Sequence, residues 1–375
     1  MTSNAPWGFA YPEVPSTHLF LYPDLGISIL NGLIAEQKDA PGIRVAVLVD
    51  PGEVQATEID IAISSFRSRA VFISGIGGLG ATVHRVKRTI EYFPYDLLLI
   101  STHCGDAPGW RWTYEFVDSE GINRHLVIDT AIDIAVVPGD EKLSVTQYMT
   151  FVALDGVDWK DPAKKDKLYF GTAMRDFMDR TSQNRLEPVK KEPIGRVPGS
   201  AALKMADYHF IPVPSSLADN GSPIIINNAC ASWHRLAKTF TFGNARAYIG
   251  TLFSVTNIEA HEIVKRLLER HFGKSLAVAL WHAQNEVYGN GDVRRPYILV
   301  GVHSQRLRTT EANVPVIIYN RLRLSLRTWT KTLEETDKND DSKVRSATDI
   351  VRFLQSEADR FRQRLGLPTD GPGGR

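Results

Sequence analysis

A cysteine and a histidine in matched settings are the residues of this chain best suited to chemistry. Cys230 ends the short apolar run PIIINNAC, and His103 ends another, DLLLISTH. A thiol attacks a carbonyl when a base takes its proton or its surroundings acidify it. An imidazole titrating near neutrality can accept that proton and later return it to a leaving amine. The residue types therefore suit a thiol nucleophile with an imidazole base, which is the chemistry of cysteine-dependent peptide hydrolysis. In a parallel sheet both runs would deliver their last residues to one carboxyl edge, where open α/β sheets build their sites. His103-Cys104-Gly105-Asp106 puts a glycine where an N–H can face an oxyanion. Ala229-Cys230-Ala231-Ser232 reads as a strand-to-helix junction, where the helix dipole would acidify the thiol and leave the Cys230 N–H free for the same oxyanion. An arbitrary pair of this kind is more often a small buried hydrophobe and a satisfied core histidine. Two strand ends of matched design set this pair apart.

The elements that must position them follow from periodicity. Residues 43–49 (IRVAVLV) are a β-branched apolar run ended by Asp50-Pro51-Gly52, and a helix is expected over 53–68. A strand at 70–74 leads through a glycine-rich turn to a helix at 81–93, in which Val83, Val86, Ile90 and Phe93 share a face. The strand 96–101 carries His103. Alternation resumes with a strand at 223–228, a helix at 231–241, a strand at 247–253, helices at 258–270 and 275–288, and a strand at 297–302. This order predicts an α/β fold, a mostly parallel sheet covered by helices on both faces. Between 108 and 222 the pattern breaks into a hairpin turning at Ser119-Glu120-Gly121, a strand within 148–156 and a polar stretch over 158–197. We read it as an inserted hairpin and lid region over the sheet edge. Residues 1–40, rich in proline and aromatics, read as an extended arm, 41–303 as the main domain, and 304–375 as a strand-like piece (VPVIIYNRL) with a charged helical tail at 341–364 and a disordered Gly/Pro-rich end. No internal repeat is visible.

Composition narrows the function classes. The chain has 375 residues, 43% of them hydrophobic, enough to bury a large core. Its 44 Lys and Arg nearly balance 43 Asp and Glu, so no global field attracts nucleic acid or an anionic membrane. The two cysteines, Cys104 and Cys230, are too few for a disulfide framework or a four-ligand zinc site, which fits a reducing cytoplasm. The N-terminus lacks a basic region followed by an apolar core, and no stretch has the roughly 18 apolar residues of a membrane span.

The segment from Pro223 to Gly301 resembles the C-terminal part of a CHAT domain, a family of caspase-like cysteine proteases. The matching parts are the Ala-Cys-x-Ser turn at 229–232, the strand GNARAYIGTL at 243–252, the helix start GKSLAVAL at 273–280 and the closing LVG at 299–301. LLLISTHCGD, at 97–106, is similar to the family's strand ending in histidine. The likeness runs in order over 43–303 and is densest near His103 and after Pro223. It implies Cys230 as nucleophile, His103 as base and then acid, and the N–H groups of Gly105 and Cys230 as oxyanion donors, with no cofactor and no metal. Two departures stand out. Cys104 occupies the position directly after the histidine where the family usually has glycine, and Asn228 stands where basic-P1 members of the wider clan carry an acid. The resemblance also implies a latent enzyme switched on by a protein partner, in bacterial antiviral defence or programmed cell death. A catalytically inactive adaptor of the same fold is the alternative reading.

Other residues invite weighing. Trp110, Trp112 and Tyr114 alternate just after the histidine loop and read either as the wall of a substrate groove or as ordinary sheet packing. Asp106 and Asp155 are candidate specificity acids, or turn residues; with Trp110, Trp112 and Asn228 they complete the candidate substrate-binding set. Gly75-Ile76-Gly77-Gly78-Leu79-Gly80 satisfies G-x-G-x-x-G between a strand and a helix, the context for an NAD site. Its strand, however, is not expected to be first in the sheet, and the next strand ends in Ser101-Thr102-His103 rather than an acid. His234 could sit one helical turn from Cys230 as an alternative base, though a surface histidine is the commoner case. His84 and His125 with His103 and Cys104 follow no ligand spacing. The charged runs at 160–167 and 185–196 are solvated faces or a mobile lid.

Overall fold

A computed structural model describes residues 13–19, 42–183, 185–289, 294–302 and 304–368. The strands β1 (Val45–Asp50), β2 (Phe72–Gly77) and β3 (Leu97–Ile100) alternate with the helices α1 (Thr57–Arg67) and α2 (Val83–Tyr92). The chain then forms β4 (Cys104–Gly105), the longer β5 (Gly109–Val117), β6 (Asn123–Val136) and β7 (Leu143–Leu154), and the short β8 (Val157–Asp158). Helices α3 (Pro162–Lys165) and α4 (Ala173–Ser182) precede β9 (Lys190–Ile194), β10 (Ala202–Lys204) and β11 (His209–Phe210). Alternation returns with β12 (Ile224–Asn227), α5 (His234–Phe242), β13 (Ala247–Thr251), α6 (Asn257–Lys265), α7 (Leu276–Tyr288) and β14 (Tyr297–Gly301). Two long helices follow, α8 (Val314–Glu335) and α9 (Asp341–Arg364).

The main sheet has the order β14-β13-β12-β3-β1-β2, parallel throughout except for β14. Its inner strands are buried along their whole length, as continuous apolar runs covered on both faces must be. Residues such as Val47, Leu98, Ile225 and Tyr248 pack on one face with α2, α5, α8 and α9. On the other face Ala46, Leu48, Leu99, Ile226 and Ile249 pack with α1, α6 and α7. The molecule is thus mixed α/β around a mostly parallel sheet. The pairing of β3 with β12 runs from Leu97↔Ile224 to Ile100↔Asn227, so the two strands end level with each other.

Two elements differ from expectation. The piece VPVIIYNRL is not a strand but the start of α8. Its β-branched residues continue into a long pattern that buries Val314, Ile318, Leu322 and Ser325, and this helical period overrides local β propensity. The helix after Cys230 begins at His234, not near Ala231. Within the first forty residues, only 13–19 are described. There His18 N donates to Leu299 O (2.8 Å) and Gly301 N to His18 O (3.0 Å), which lays this part of the arm against β14. The Gly/Pro-rich end lies beyond the described residues.

The insertion is more than a hairpin and lid. It forms a five-stranded antiparallel sheet, β8-β7-β6-β5-β9, and β10 and β11 join β4 in a three-stranded one. The five-stranded sheet has its own small core around Tyr114, Leu126, Ile128 and Phe177. The insertion docks against α2 through Lys87 Nζ to Thr146 Oγ1 (3.1 Å), and against α5 through the Arg235 guanidinium, 3.7 Å from the Tyr148 ring centroid.

Candidate functional site

The β3 and β12 ends bring His103 and Cys230 to the same edge of the main sheet, although no hydrogen bond joins their side chains. His103 is exposed in the link between β3 and β4. Cys230 is half-buried, and its Sγ lies 3.6 Å from the Val255 carbonyl oxygen, in the loop between β13 and α6. The insertion therefore does not bury the histidine.

The turn that carries Cys230 is fixed by its neighbour strand. Ser232 Oγ donates to Asn227 O (3.0 Å) and accepts from Thr251 N (3.0 Å). Thr251 Oγ1 donates to Ala229 O (2.7 Å), Tyr248 OH donates to Ser232 O (2.7 Å), and Trp233 N donates to Thr251 O (2.9 Å). Glycine at position 250 permits this approach, since a Cβ there would stand 3.0 Å from Ser232 Oγ and 2.6 Å from the Tyr248 ring. Ala231 takes φ of +51°, a left-handed conformation that costs an L-residue roughly 1–2 kcal/mol. With the helix starting only at His234, Cys230 stands outside its first turn. The expected acidification by the α5 dipole loses its geometric basis, because the dipole's effect fades within one turn. The Cys230 N–H makes no hydrogen bond among the described residues.

The Gly105 N–H is engaged in the ladder with β10. Bonded pairs alternate along an antiparallel ladder. Lys204 N donates to His103 O (2.9 Å), so Gly105 and Ala202 form the next bonded pair, and the Gly105 N–H turns into β10. The Cys104 N–H points to the opposite side, where β4 is the sheet's free edge. The Cys104 N–H is thus left out of the ladder with β10. The Cys104 side chain packs on the main core, and burial, followed by the nearby Cys230 and Asp106, pushes its thiol up to about 12.

The remaining candidates divide. Asp106 is exposed and accepts a hydrogen bond from Gly199 N (2.9 Å), which ties the 195–201 loop to the histidine link. Asp155 is at the wrong end of the molecule. It lies in the β7–β8 turn, paired with Arg124 (2.8 Å), while β5 leaves the site from its other end at Gly109. The length of β5 separates those ends by roughly 25 Å. Trp112 packs on the insertion's own core beside Tyr114, with ring centroids 6.4 Å apart, so the sheet-packing reading holds for that pair. Trp110, 41% exposed and opposite Thr130 near the start of β5, is the aromatic left facing solvent close to the site. Asn228 is buried, its Nδ2 on Glu58 and its Oδ1 accepting from Tyr297 OH, so it is a strut and does not line a substrate pocket.

The glycine motif does not form a phosphate loop. Gly75, Ile76 and Gly77 belong to β2, the sheet's edge strand, and only Gly78–Gly80 make a short turn. His84 is engaged by Asp349 of α9 (2.9 Å), and no cluster of three or more metal-ligating side chains occurs among the described residues. The His234 side chain lies outside the described residues. Sequence reasoning did not single out Glu58, Thr251 or Val255. Thr251 lies in the strand GNARAYIGTL, while nothing local in the sequence marks Glu58 or Val255.

No protein-family model matches this sequence, and no curated protein matches it.

Proposed function

We propose that this chain is a caspase-like cysteine endopeptidase of the CHAT type, with Cys230 as nucleophile and His103 as base. The observation that carries the reading is the pinned turn at Cys230, level with the histidine link and bearing an unbonded N–H. The sheet order, with five parallel strands and an antiparallel sixth, supports it. In the reaction His103 takes the thiol proton, and Sγ attacks the scissile carbonyl. The oxyanion is met by the N–H groups of Cys230 and Cys104, and His103 returns the proton to the departing amine. Water, deprotonated by the same imidazole, then hydrolyses the thioester.

The thiol held on the Val255 carbonyl, without a bond to His103, supports a latent state that a protein partner relieves by moving the 252–256 loop. A reducing cytoplasm and a role in defence or programmed cell death fit such an enzyme. The same resting contact favours the second reading, an adaptor that keeps the fold and needs no reactive thiol.

Peptidyl acyloxymethyl ketones spanning the P1 side chains separate the two. Attack by the thiolate displaces their carboxylate and leaves a thioether whose site mass spectrometry locates. A peptidase gives an adduct on Cys230 that depends on the peptide. Cys230→Ala abolishes it without changing the thermal midpoint, and His103→Ala slows it by about 10²-fold or more. If no peptidyl reagent labels Cys230 faster than iodoacetamide does, either in the purified chain or in a lysate of its own cells that supplies the partner, the peptidase reading is rejected in favour of the adaptor.

A further inference from the structure

One carboxylate joins the two strand ends, and the Cys/His chemistry leaves it unused. Glu58, in the first turn of α1, is 2% exposed. Its Oε1 accepts hydrogen bonds from Ser101 Oγ (2.5 Å) and Asn228 Nδ2 (3.0 Å). Ser101 stands two residues before His103, and Asn228 two before Cys230. Tyr297 OH holds Asn228 from the other side (2.6 Å). Glu58 Oε2 has no hydrogen-bond partner among the described residues.

Backbone pairing between β3 and β12 ends at this level, with Asn228 N donating to Ile100 O (2.8 Å). Beyond it the two chains diverge toward the histidine and the cysteine with no ladder between them. Two donors that share one buried oxygen fix each other's position. Burying a carboxyl group with an oxygen to spare costs stability, which its bonds to the buried Ser101 hydroxyl and Asn228 amide offset. We propose that Glu58 is a positioning residue that sets the separation of His103 and Cys230 by clamping Ser101 and Asn228. The proposal rests on the cysteine-peptidase reading.

The test uses the full chain and the peptidyl acyloxymethyl ketone that labels it fastest, with kinact and KI measured separately. Glu58→Met keeps the side-chain length and removes both acceptors. It lowers kinact by about 10- to 100-fold, the scale of a misplacement near 1 Å, and leaves KI within about twofold. Glu58→Gln, which keeps one acceptor oxygen, recovers most of that loss. Glu58→Met with His103→Ala is no slower than His103→Ala alone, because the clamp acts through the histidine. The thermal midpoint of Glu58→Met falls, because the buried Ser101 hydroxyl and Asn228 amide lose their acceptor. A wild-type kinact in Glu58→Met overturns the proposal, as does a loss that multiplies with His103→Ala, the mark of a merely structural residue. Should Glu58→Met not fold, Ser101→Ala removes one arm and must lower kinact severalfold at constant KI; an unchanged kinact overturns the proposal equally. If His103→Ala leaves kinact at the wild-type value, the dyad reading fails first and the clamp falls with it.

Discussion

At the scale of single residues, the two cysteines are chemically unlike although they meet at one edge. Cys230 is half-buried on a turn, its Sγ 3.6 Å from the Val255 carbonyl oxygen. Cys104 packs into the main core, where burial keeps its proton on up to about 12. At pH 8 that leaves roughly one part in 10⁴ of Cys104 as thiolate, the form that reacts. Iodoacetamide at pH 8 is therefore expected to modify Cys230 at least about 10²-fold faster than Cys104, and Cys104 to catch up only after denaturation. Equal labelling of the two in the folded protein would show that Cys104 is not packed as described. What distinguishes them is position within an element, not residue type. A shift of one residue puts Cys104 on the core side of β4 while His103 faces solvent.

At the scale of elements, a buried carboxyl group joins the insertion's long hairpin to the segment after β11. Asp133 of β6 is 1% exposed and accepts a hydrogen bond from Ile211 N (2.9 Å), so the long hairpin meets the link after β11 through a buried acid. Burial raises its pKa from 3.8 to about 6. The folded state thus holds this proton more tightly than the unfolded chain does. The stability it contributes is present in full below 3.8 and is lost as the pH rises through about 6. Asp133→Asn, which keeps an acceptor for Ile211 N without the charge, should raise the stability by about 1–3 kcal/mol at pH 8 and change little at pH 3.5, measured by urea unfolding at the two pH values. A gain independent of pH would exclude the charge as its cause.

The same scale shows what a sequence displays. The buried runs at 43–49, 96–101 and 223–228 announced β1, β3 and β12, because a strand covered on both faces has no polar alternation to hide it. The start of α8 was misread because its local β-branched cluster outweighed a helical period that becomes clear only over several turns. The site divides the same way. His103 and Cys230 were legible as the ends of strands, whereas the Cys104 N–H depends on the phase of a ladder with β10, far away in the chain. Glu58 was not legible, since only the fold places α1 across the β3 and β12 ends. Trp112 illustrates the converse, a residue near the histidine by count that β5 carries off into a separate small core.

At the scale of the whole molecule, the helices after β14 belong to the main core and are not an appendage. Ile318, Leu322, Ile350, Leu354 and Phe361 are fully buried together with Leu98, Ile100 and Tyr95. Burial of each large apolar side chain stabilises by about 1.5–3 kcal/mol, so these five supply about 7–15 kcal/mol, as much as the entire net stability of an ordinary domain. An ionic contact adds to the dependence. Asp349 of α9 receives Arg88 Nε (2.7 Å) and pairs with His84, and without α9 the Arg88 guanidinium, 6% exposed in the whole chain, loses the shorter of its two carboxylate contacts and keeps Glu91 (3.3 Å). Removing one partner of a buried pair costs about 3–5 kcal/mol. A fragment ending at residue 303, the boundary that strand counting suggests, is therefore expected to be insoluble or molten, with no cooperative transition by circular dichroism. The single substitution Asp349→Ala should leave a folded protein destabilised by about 3–5 kcal/mol. A fragment 41–303 that melts cooperatively within a few degrees of the full chain would show that α8 and α9 only rest on the domain. The expected outcome instead makes the tail a condition of the site. α2, which Arg88 and His84 tie to α9, also carries the Lys87 contact to the insertion, and the insertion's β10 fixes the histidine link through its ladder with β4.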